Sequence, residues 1–110
     1  MEFKTMTPGL YQDLEKLQAR QRKRREVAAD SDAEPHVRHA GKVDAEILTT
    51  EILQTTSAIL ENEEFASQIQ GQLNRLSVSA HKSRHRSLVI TLLEQAQDRL
   101  RRELGNKPAN

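Results

Sequence analysis

The sequence contains no cysteine and no tryptophan, and its aromatic residues are few: Phe3, Tyr11 and Phe65. Without cysteine the chain forms no disulfide and no thiolate metal site. It has no run of about 18 apolar residues, so no membrane-spanning helix is expected. The opening residues MEFKTMTPG lack the apolar segment of a secretory signal. These absences make the cytoplasm the expected location.

Glycine and proline are also sparse, with four and three residues among 110, and they divide the chain into three segments. Apolar residues recur in each segment at spacings of three and four, which predicts helices over about residues 8–29, 42–77 and 83–104. Thr7 and Pro8 fit the N-cap and first turn of the first helix. Gly105 and Pro108 fit the end of the last one. No strand-like alternation of useful length occurs, so the predicted fold class is all-α.

The middle helix raises a question of length. As one element, residues 42–77 would be about 54 Å long, whereas a compact chain of this size has a radius of gyration of about 13 Å. Either the helix breaks near Asn62, or it stays long and packs against other subunits. The acidic residues after Asn62 are typical of a new N-terminus and favour the break. The expectation is therefore a small bundle of three or four helices.

Composition indicates a thin core. Charged residues make up 30% of the chain and hydrophobic residues only 35%. A small domain this polar buries little apolar surface by itself, which favours a homo-oligomer or a partner that covers the apolar stripes. The formal net charge is only +1, so overall charge gives no strong attraction to nucleic acid or to a membrane.

A basic run occupies residues 20–25, where five of six positions are cationic: Arg20, Arg22, Lys23, Arg24 and Arg25. Such a run can bind phosphates, which leaves nucleic-acid binding as a third, weaker hypothesis. A solvated helix end is the favoured interpretation, because cations suit the C-terminal end of a helix. No aromatic residues are interleaved to stack on bases.

Histidines suggest a metal site only weakly. His81 and His85 lie four residues apart, one helical turn, but no thiol or matching carboxylate is evident nearby. Exposed polar histidines, which include His36 and His39, are the simpler interpretation. No glycine-rich phosphate loop and no recognisable nucleophile setting are present. We therefore expect neither an enzyme nor a bound cofactor or metal.

The start of the last helix is oddly charged, because Lys82, Arg84 and Arg86 lie where the helix dipole is already positive. A capping Ser83, free backbone N–H groups and an arginine fork together predict a phosphate-type anion site. Further hydroxyls follow at one-turn spacing on the same face: Ser87 and Thr91. The alternative is that these cations pair with the preceding helix at Glu61, Glu63 and Glu64.

This segment resembles a helix of viral sponge proteins that block the CBASS and Thoeris defence systems, with the form S-R-x-x-S-L-x-x-T-x-L-E-x-A. The matching residues are Ser83, Arg84, Ser87, Leu88, Thr91, Leu93, Glu94 and Ala96. The match covers some fourteen residues. His85 stands where the family usually has an acidic residue, Gln95 stands where it has a second glutamate, and no aromatic residue follows Ala96 as it usually does in the family. The resemblance implies a small helical oligomer that holds a cyclic di- or trinucleotide without cleaving it, in the cytoplasm of an infected host cell, with Arg84 on a phosphate.

Three hypotheses therefore remain in order. The first is sequestration of a cyclic nucleotide through Ser83, Arg84 and Arg86, with Ser87 and Thr91 beside them. Tyr11 is a candidate for stacking on a base, although a core tyrosine beside Leu10 and Leu14 would need no ligand. The second is a helical adaptor or structural protein whose partner covers the apolar stripes. The third is the nucleic-acid binder described above.

Overall fold

The computed structural model of the protein describes residues 9–107. Within that range the chain forms three α-helices and no β-strand: α1 Leu10–Ala29, α2 Pro35–Val78 and α3 Arg84–Leu104. The prediction of an all-α chain with three helices is confirmed. The predicted signals at Thr7, Pro8 and Pro108 lie outside the described residues.

The three helices form an elongated rod and not a compact bundle. Helix α1 packs against the N-terminal part of α2, with contacts from Gly41 to Glu63. Helix α3 packs against the C-terminal part, with contacts from Asn62 onward. The start of α1 and the end of α3 meet near the middle of the rod, where the backbones of Gly9 and Gly105 are so close that a Cβ added to Gly9 would clash with Gly105. The molecule measures 71 × 32 × 23 Å, with a radius of gyration of 21.0 Å. The expected bundle is therefore not formed within one chain, because each half of α2 has one helical neighbour.

Helix α2 is continuous through Asn62, so the expectation of a break there is wrong. Its 44 residues correspond to about 66 Å of helix. Asn62 is buried, and its Nδ2 donates to the Leu100 carbonyl at 3.3 Å and to the Glu103 carboxylate. The side chain that could have capped a new helix binds α3 instead, so no new N-terminus begins at this position.

The first connector is shorter than expected. The sequence predicts the second helix from about residue 42, but residues 36–41 are already helical, because Pro35 stands in the first turn of α2 and extended Glu34 is the N-cap. A proline restricts the residue before it and is well tolerated at the first helical position. The proline therefore begins the helix and does not lengthen the loop. The predicted last helix is confirmed, with Ser83 as its N-cap and Gly105 as its C-cap.

Small residues and buried amides join the helices. Gly41, Ala45 and Ala66 are buried along α2, where small side chains let the neighbouring backbones approach. Gln21 of α1 donates to the Ala45 carbonyl at 3.0 Å, and Gln97 of α3 donates to the Ala66 carbonyl at 3.0 Å. A slide of α1 or α3 along α2 that separated a buried amide from its acceptor would leave a buried polar group unpaired, so these bonds favour the observed register.

Little apolar surface is buried. Among the described residues, the buried hydrophobic side chains are Ala45, Leu48, Ile59, Ala66 and Leu104, and none of them is both large and fully enclosed. Several large hydrophobic side chains are exposed instead, among them Leu53 and Leu92 at 63% each. The thin core expected from composition is present in the folded chain.

Candidate functional site

The candidate site lies where the second connector enters α3. Ser83 has extended backbone angles, and its Oγ accepts a hydrogen bond from the Arg86 N–H at 3.1 Å. The N–H groups of Arg84 and His85 begin the helix and donate to no acceptor among the described residues. A capped helix start with two free N–H groups and a positive dipole end is a general anion-binding arrangement.

Positive charge concentrates at this helix start. Residues 81–86 read HKSRHR, and Arg84 and His85 are exposed. Lys82 Nζ donates to the Ser77 carbonyl at 3.2 Å, which satisfies a carbonyl in the last turn of α2. Arg86 Nη1 donates to Ser79 Oγ at 3.2 Å, so this guanidinium links the first turn of α3 to the residue that follows α2. The side chain of Arg84 is exposed to solvent and, unlike those of Lys82 and Arg86, makes no hydrogen bond within the described residues.

The alternative of pairing with the acidic residues of α2 is not realised. The ion pairs among described residues are Arg24–Asp44, His36–Glu34 and Arg102–Asp98, and none involves the start of α3. The three glutamates in question lie between positions 61 and 64, while the connector begins after Val78. Glu64, the nearest of them, precedes the end of α2 by about 21 Å of helix, whereas the Arg86 guanidinium bonds to Ser79 in the connector beyond that end.

Two hydroxyls extend the candidate site along α3. Ser87 Oγ donates to the Ser83 carbonyl at 3.2 Å, and Thr91 Oγ1 donates to the Ser87 carbonyl at 3.2 Å. Both residues are exposed. Each hydroxyl hydrogen is used by the helix, so the oxygen is available as an acceptor, and the hydroxyls suit the N–H or O–H edges of a ligand better than its phosphates.

Tyr11 lies elsewhere in the chain. It is half-buried, and its hydroxyl donates to the Glu63 carboxylate of α2. This hydrogen bond, with burial and the negative charge of Glu63, raises the pKa of Tyr11 to about 12. Glu63 precedes the end of α2 by about 22 Å of helix, so one chain does not bring Tyr11 to the residues at the start of α3. Its observed contact is a tie between α1 and α2.

The basic run of α1 is split around the helix. Arg20 and Arg24 border a shallow groove with Asp44 on one side, where Arg24 Nε lies 3.8 Å from the Asp44 carboxylate. Arg25 borders a different groove with Lys42. The cations therefore form no single continuous stripe, although all of them are exposed, as the solvated-end interpretation requires.

The histidines do not form a metal site within the described residues. His81 lies in the connector before α3 begins, so the one-turn helical spacing to His85 does not apply. His36 Nδ1 lies 3.3 Å from the carboxylate of Glu34, at the exposed start of α2. Residues 9–107 contain no group of three or more histidine, aspartate and glutamate side chains that could hold a metal.

Sequence reasoning missed the contact that shapes the connector. Ser79 accepts from Arg86 and also from the His81 N–H at 3.2 Å, so one serine organises the turn. Serine favours turns because its hydroxyl can accept a hydrogen bond from the backbone N–H two residues later. The segment Ser79-Ala80-His81 offered this signal in the sequence.

Comparisons with known proteins add no family. No protein-family model matches the chain, and neither the curated proteins nor the solved structures contain a match.

Among the described residues, no helix has both the length and the apolar character needed to span a membrane.

Proposed function

We propose that the protein binds a cyclic nucleotide signal without cleaving it, through the start of α3, and thereby sequesters it in the cytoplasm of an infected host cell. The observation that carries this proposal is the capped helix start, where two N–H groups without acceptors and the exposed Arg84 lie in the first turn of α3 with no ion pair among the described residues. The resemblance of residues 83–96 to the sponge helix supports the class of ligand.

Each group has a stated role in the proposed complex. Arg84 makes two hydrogen bonds to phosphate oxygens, because its planar fork matches their spacing. The N–H groups of Arg84 and His85 contact the same phosphate at the positive end of the helix dipole. Ser87 and Thr91 accept hydrogen bonds from the base or sugar. Ser83 and Arg86 hold the helix start and the connector in place. Tyr11 is left out, since the chain places it at a distance.

Arg84→Ala gives the sharpest test of this proposal. A cation at a helix N-terminus costs roughly 0.3–1 kcal/mol at an exposed site, so the free variant should be as stable as the native chain or slightly more stable. Its affinity for the best ligand in a panel of cyclic di- and trinucleotides should fall by about 1.5–3 kcal/mol. Thermal unfolding of each free protein and calorimetric titration measure the two effects.

Arg101→Ala is the matched control, because Arg101 is an exposed arginine in the last turn of the same helix. It should bind the nucleotide as the native chain does. Ligand recovered after heat denaturation should be chemically intact, as sequestration requires. Equal loss of affinity in both variants, absence of binding across the panel, or recovery of a cleaved nucleotide would each contradict the proposal.

A second candidate function is a helical adaptor or structural protein. The observation that favours it is the exposure of large hydrophobic side chains on a rod only two helices thick, including Leu53, Leu60 and Leu92. Exposed apolar surface of this extent marks interaction sites in soluble proteins. A chain that binds none of the nucleotides yet associates through these side chains would leave this candidate as the better account.

A further inference from the structure

The hairpin of α2 and α3 carries an apolar stripe on each helix. On α2, Phe65, Ile69 and Leu76 recur at spacings of four and seven, so they lie along one side of the helix. Phe65 is 47% exposed. The residues of α2 that α3 covers directly, such as Ala66, are buried and neighbour this stripe. The stripe therefore continues past the contact with α3 onto open surface.

Helix α3 also carries apolar residues beyond those that its contact with α2 covers. Val89, Leu92 and Ala96 recur at spacings of three and four, and Val89 and Leu92 are 44% and 63% exposed. A helix that packs against one neighbour needs only a narrow apolar seam, whereas a wider stripe is typical of a helix inside a larger bundle. The stripe of α3 is thus wider than a single helical neighbour can cover.

The two stripes border the same side of the hairpin. The Asn62 amide meets the Glu103 carboxylate across the α2–α3 seam. Ile69 lies seven residues after Asn62, and Ala96 lies seven residues before Glu103, so each shares a helix face with its end of this bond. We name the six side chains the apolar face: Phe65, Ile69, Leu76, Val89, Leu92 and Ala96.

We propose that the apolar face binds the same face of a second copy of this chain, so that two α2–α3 hairpins complete a four-helix bundle around a two-fold axis perpendicular to the helices. A hairpin with apolar residues along one open side is half of such a bundle. A two-fold interface joins a patch to itself, so in an antiparallel pair the two ends of the face lie over each other, and opposite charges at these ends favour the pairing.

The ends of the apolar face meet the charge requirement. His85 and Glu103 lie on the α3 side that carries Leu92, seven residues before it and eleven after it, at the two ends of the face. With copies antiparallel about a point near residue 94, the His85 position of one copy lies over Glu103 of the other, whereas Arg84 lies about 100° away around α3 and stays outside this contact. A parallel pair would instead bring two HKSRHR segments together, with no carboxylate between residues 81 and 93 to offset them, so charge favours the antiparallel arrangement. Arg99 lies at the outer edge, where its aliphatic stem covers apolar surface.

The size of the surface is also adequate. The whole side of the hairpin, which includes the apolar face and its polar rim, is about 31 Å long and about 20 Å wide, so its footprint is about 600 Å². A standard interface buries about 800 Å² of accessible surface on each partner, and accessible area exceeds a flat footprint because side chains project from it. The hairpin therefore offers about the area that a stable pair requires.

Size-exclusion chromatography with light scattering tests the proposal without any ligand, so its outcome is separate from that of nucleotide binding. The native chain should have twice the chain mass of 12.5 kDa, and Leu92→Glu should have the mass of one chain. Leu53→Glu is the matched control, because Leu53 is equally exposed, at 63%, but lies outside the apolar face. It should remain a dimer. Circular dichroism confirms that both variants are helical.

Disulfide trapping tests the orientation, since the chain has no cysteine of its own. His85→Cys and Glu103→Cys chains should form a disulfide-linked pair when mixed and oxidised, and neither should do so efficiently alone. A native chain that is monomeric at all soluble concentrations, dissociation by Leu53→Glu with Leu92→Glu still dimeric, or efficient self-linking of each cysteine variant would overturn the proposal.

Discussion

Two glycines of α2, Gly41 and Gly71, can each be replaced by alanine, and the pair of variants tests how closely α1 packs against α2. A Cβ added to Gly41 would lie 2.9 Å from the Arg24 carbonyl oxygen and 3.2 Å from the Ala28 nitrogen. Both atoms belong to the backbone of α1 and do not move aside as a flexible side chain would. A Cβ added to Gly71 would meet nothing within 4 Å.

The magnitudes follow from these distances. Alanine is more favourable than glycine in a helix interior by about 1 kcal/mol, so Gly71→Ala should stabilise the protein by about that amount. Gly41→Ala gains the same propensity but overpacks the contact between α1 and α2, at a cost of about 1–3 kcal/mol. The free energies of unfolding of the two variants should therefore differ by about 1–3 kcal/mol, with Gly41→Ala the less stable.

Urea unfolding followed by circular dichroism measures this difference, with the slope against urea as a check that both variants unfold in the same way. Equal stabilisation by the two alanines would refute the reasoning, because it would mean that α1 does not lie against Gly41 in solution.

Three further changes test other contacts. Tyr11→Phe removes the bond to Glu63: because the folded-state pKa of about 12 exceeds the ordinary value of 10, that bond stabilises the fold below pH 10 and is lost as the pH rises toward 12. The native chain should therefore lose stability over this range relative to the phenylalanine variant, in melts at stepped pH, and parallel curves would contradict this. Asn62→Ala removes both bonds from its amide to α3 and should lower the unfolding free energy by about 1–3 kcal/mol in urea, whereas an unchanged midpoint would show that they contribute nothing. Ser83→Ala removes the N-cap and should cost about 1 kcal/mol, with faster amide exchange at Arg86, and native exchange rates there would disprove the cap.

Local chemistry made the ends of α3 predictable. The Ser83 hydroxyl accepts a hydrogen bond at the start of the helix, and Gly105 adopts a positive φ at its end. Both roles follow from the residue type, and both residues cap the helix at the positions predicted from the sequence. The start of α2 was mispredicted, because Pro35 signals both the end of a loop and the first turn of a helix. Pattern alone did not show that the helix follows it directly.

The continuity of α2 could not be read from local signals. Asn62 resembles an N-cap when only its neighbours along the chain are considered, but its amide binds a carbonyl 38 residues away. The placement of α1 and α3 end to end along α2 likewise depends on contacts between distant residues, including Gln21 with Ala45 and Gln97 with Ala66. Periodicity reports that a helix has an apolar side, not which helix covers it.

The candidate site was predicted in part. The sequence indicated the cations and the cap at the start of α3, and the structure places Ser83, Arg84, Ser87 and Thr91 along one segment. The sequence did not show that Arg86 is bound to Ser79, or that Tyr11 lies against Glu63. Both facts depend on the turn and on the α1–α2 register.

Nuclear magnetic resonance of the backbone amides during a titration with cyclic di- and trinucleotides tests the central claim most directly. One nucleotide should shift the N–H signals of Arg84 and His85 most strongly, with smaller changes along residues 87–91, and Arg84→Ala should need at least a tenfold higher nucleotide concentration for shifts of the same size. Signals that stay unchanged at the start of α3 with every nucleotide, or shifts confined to the basic run of α1, would contradict it.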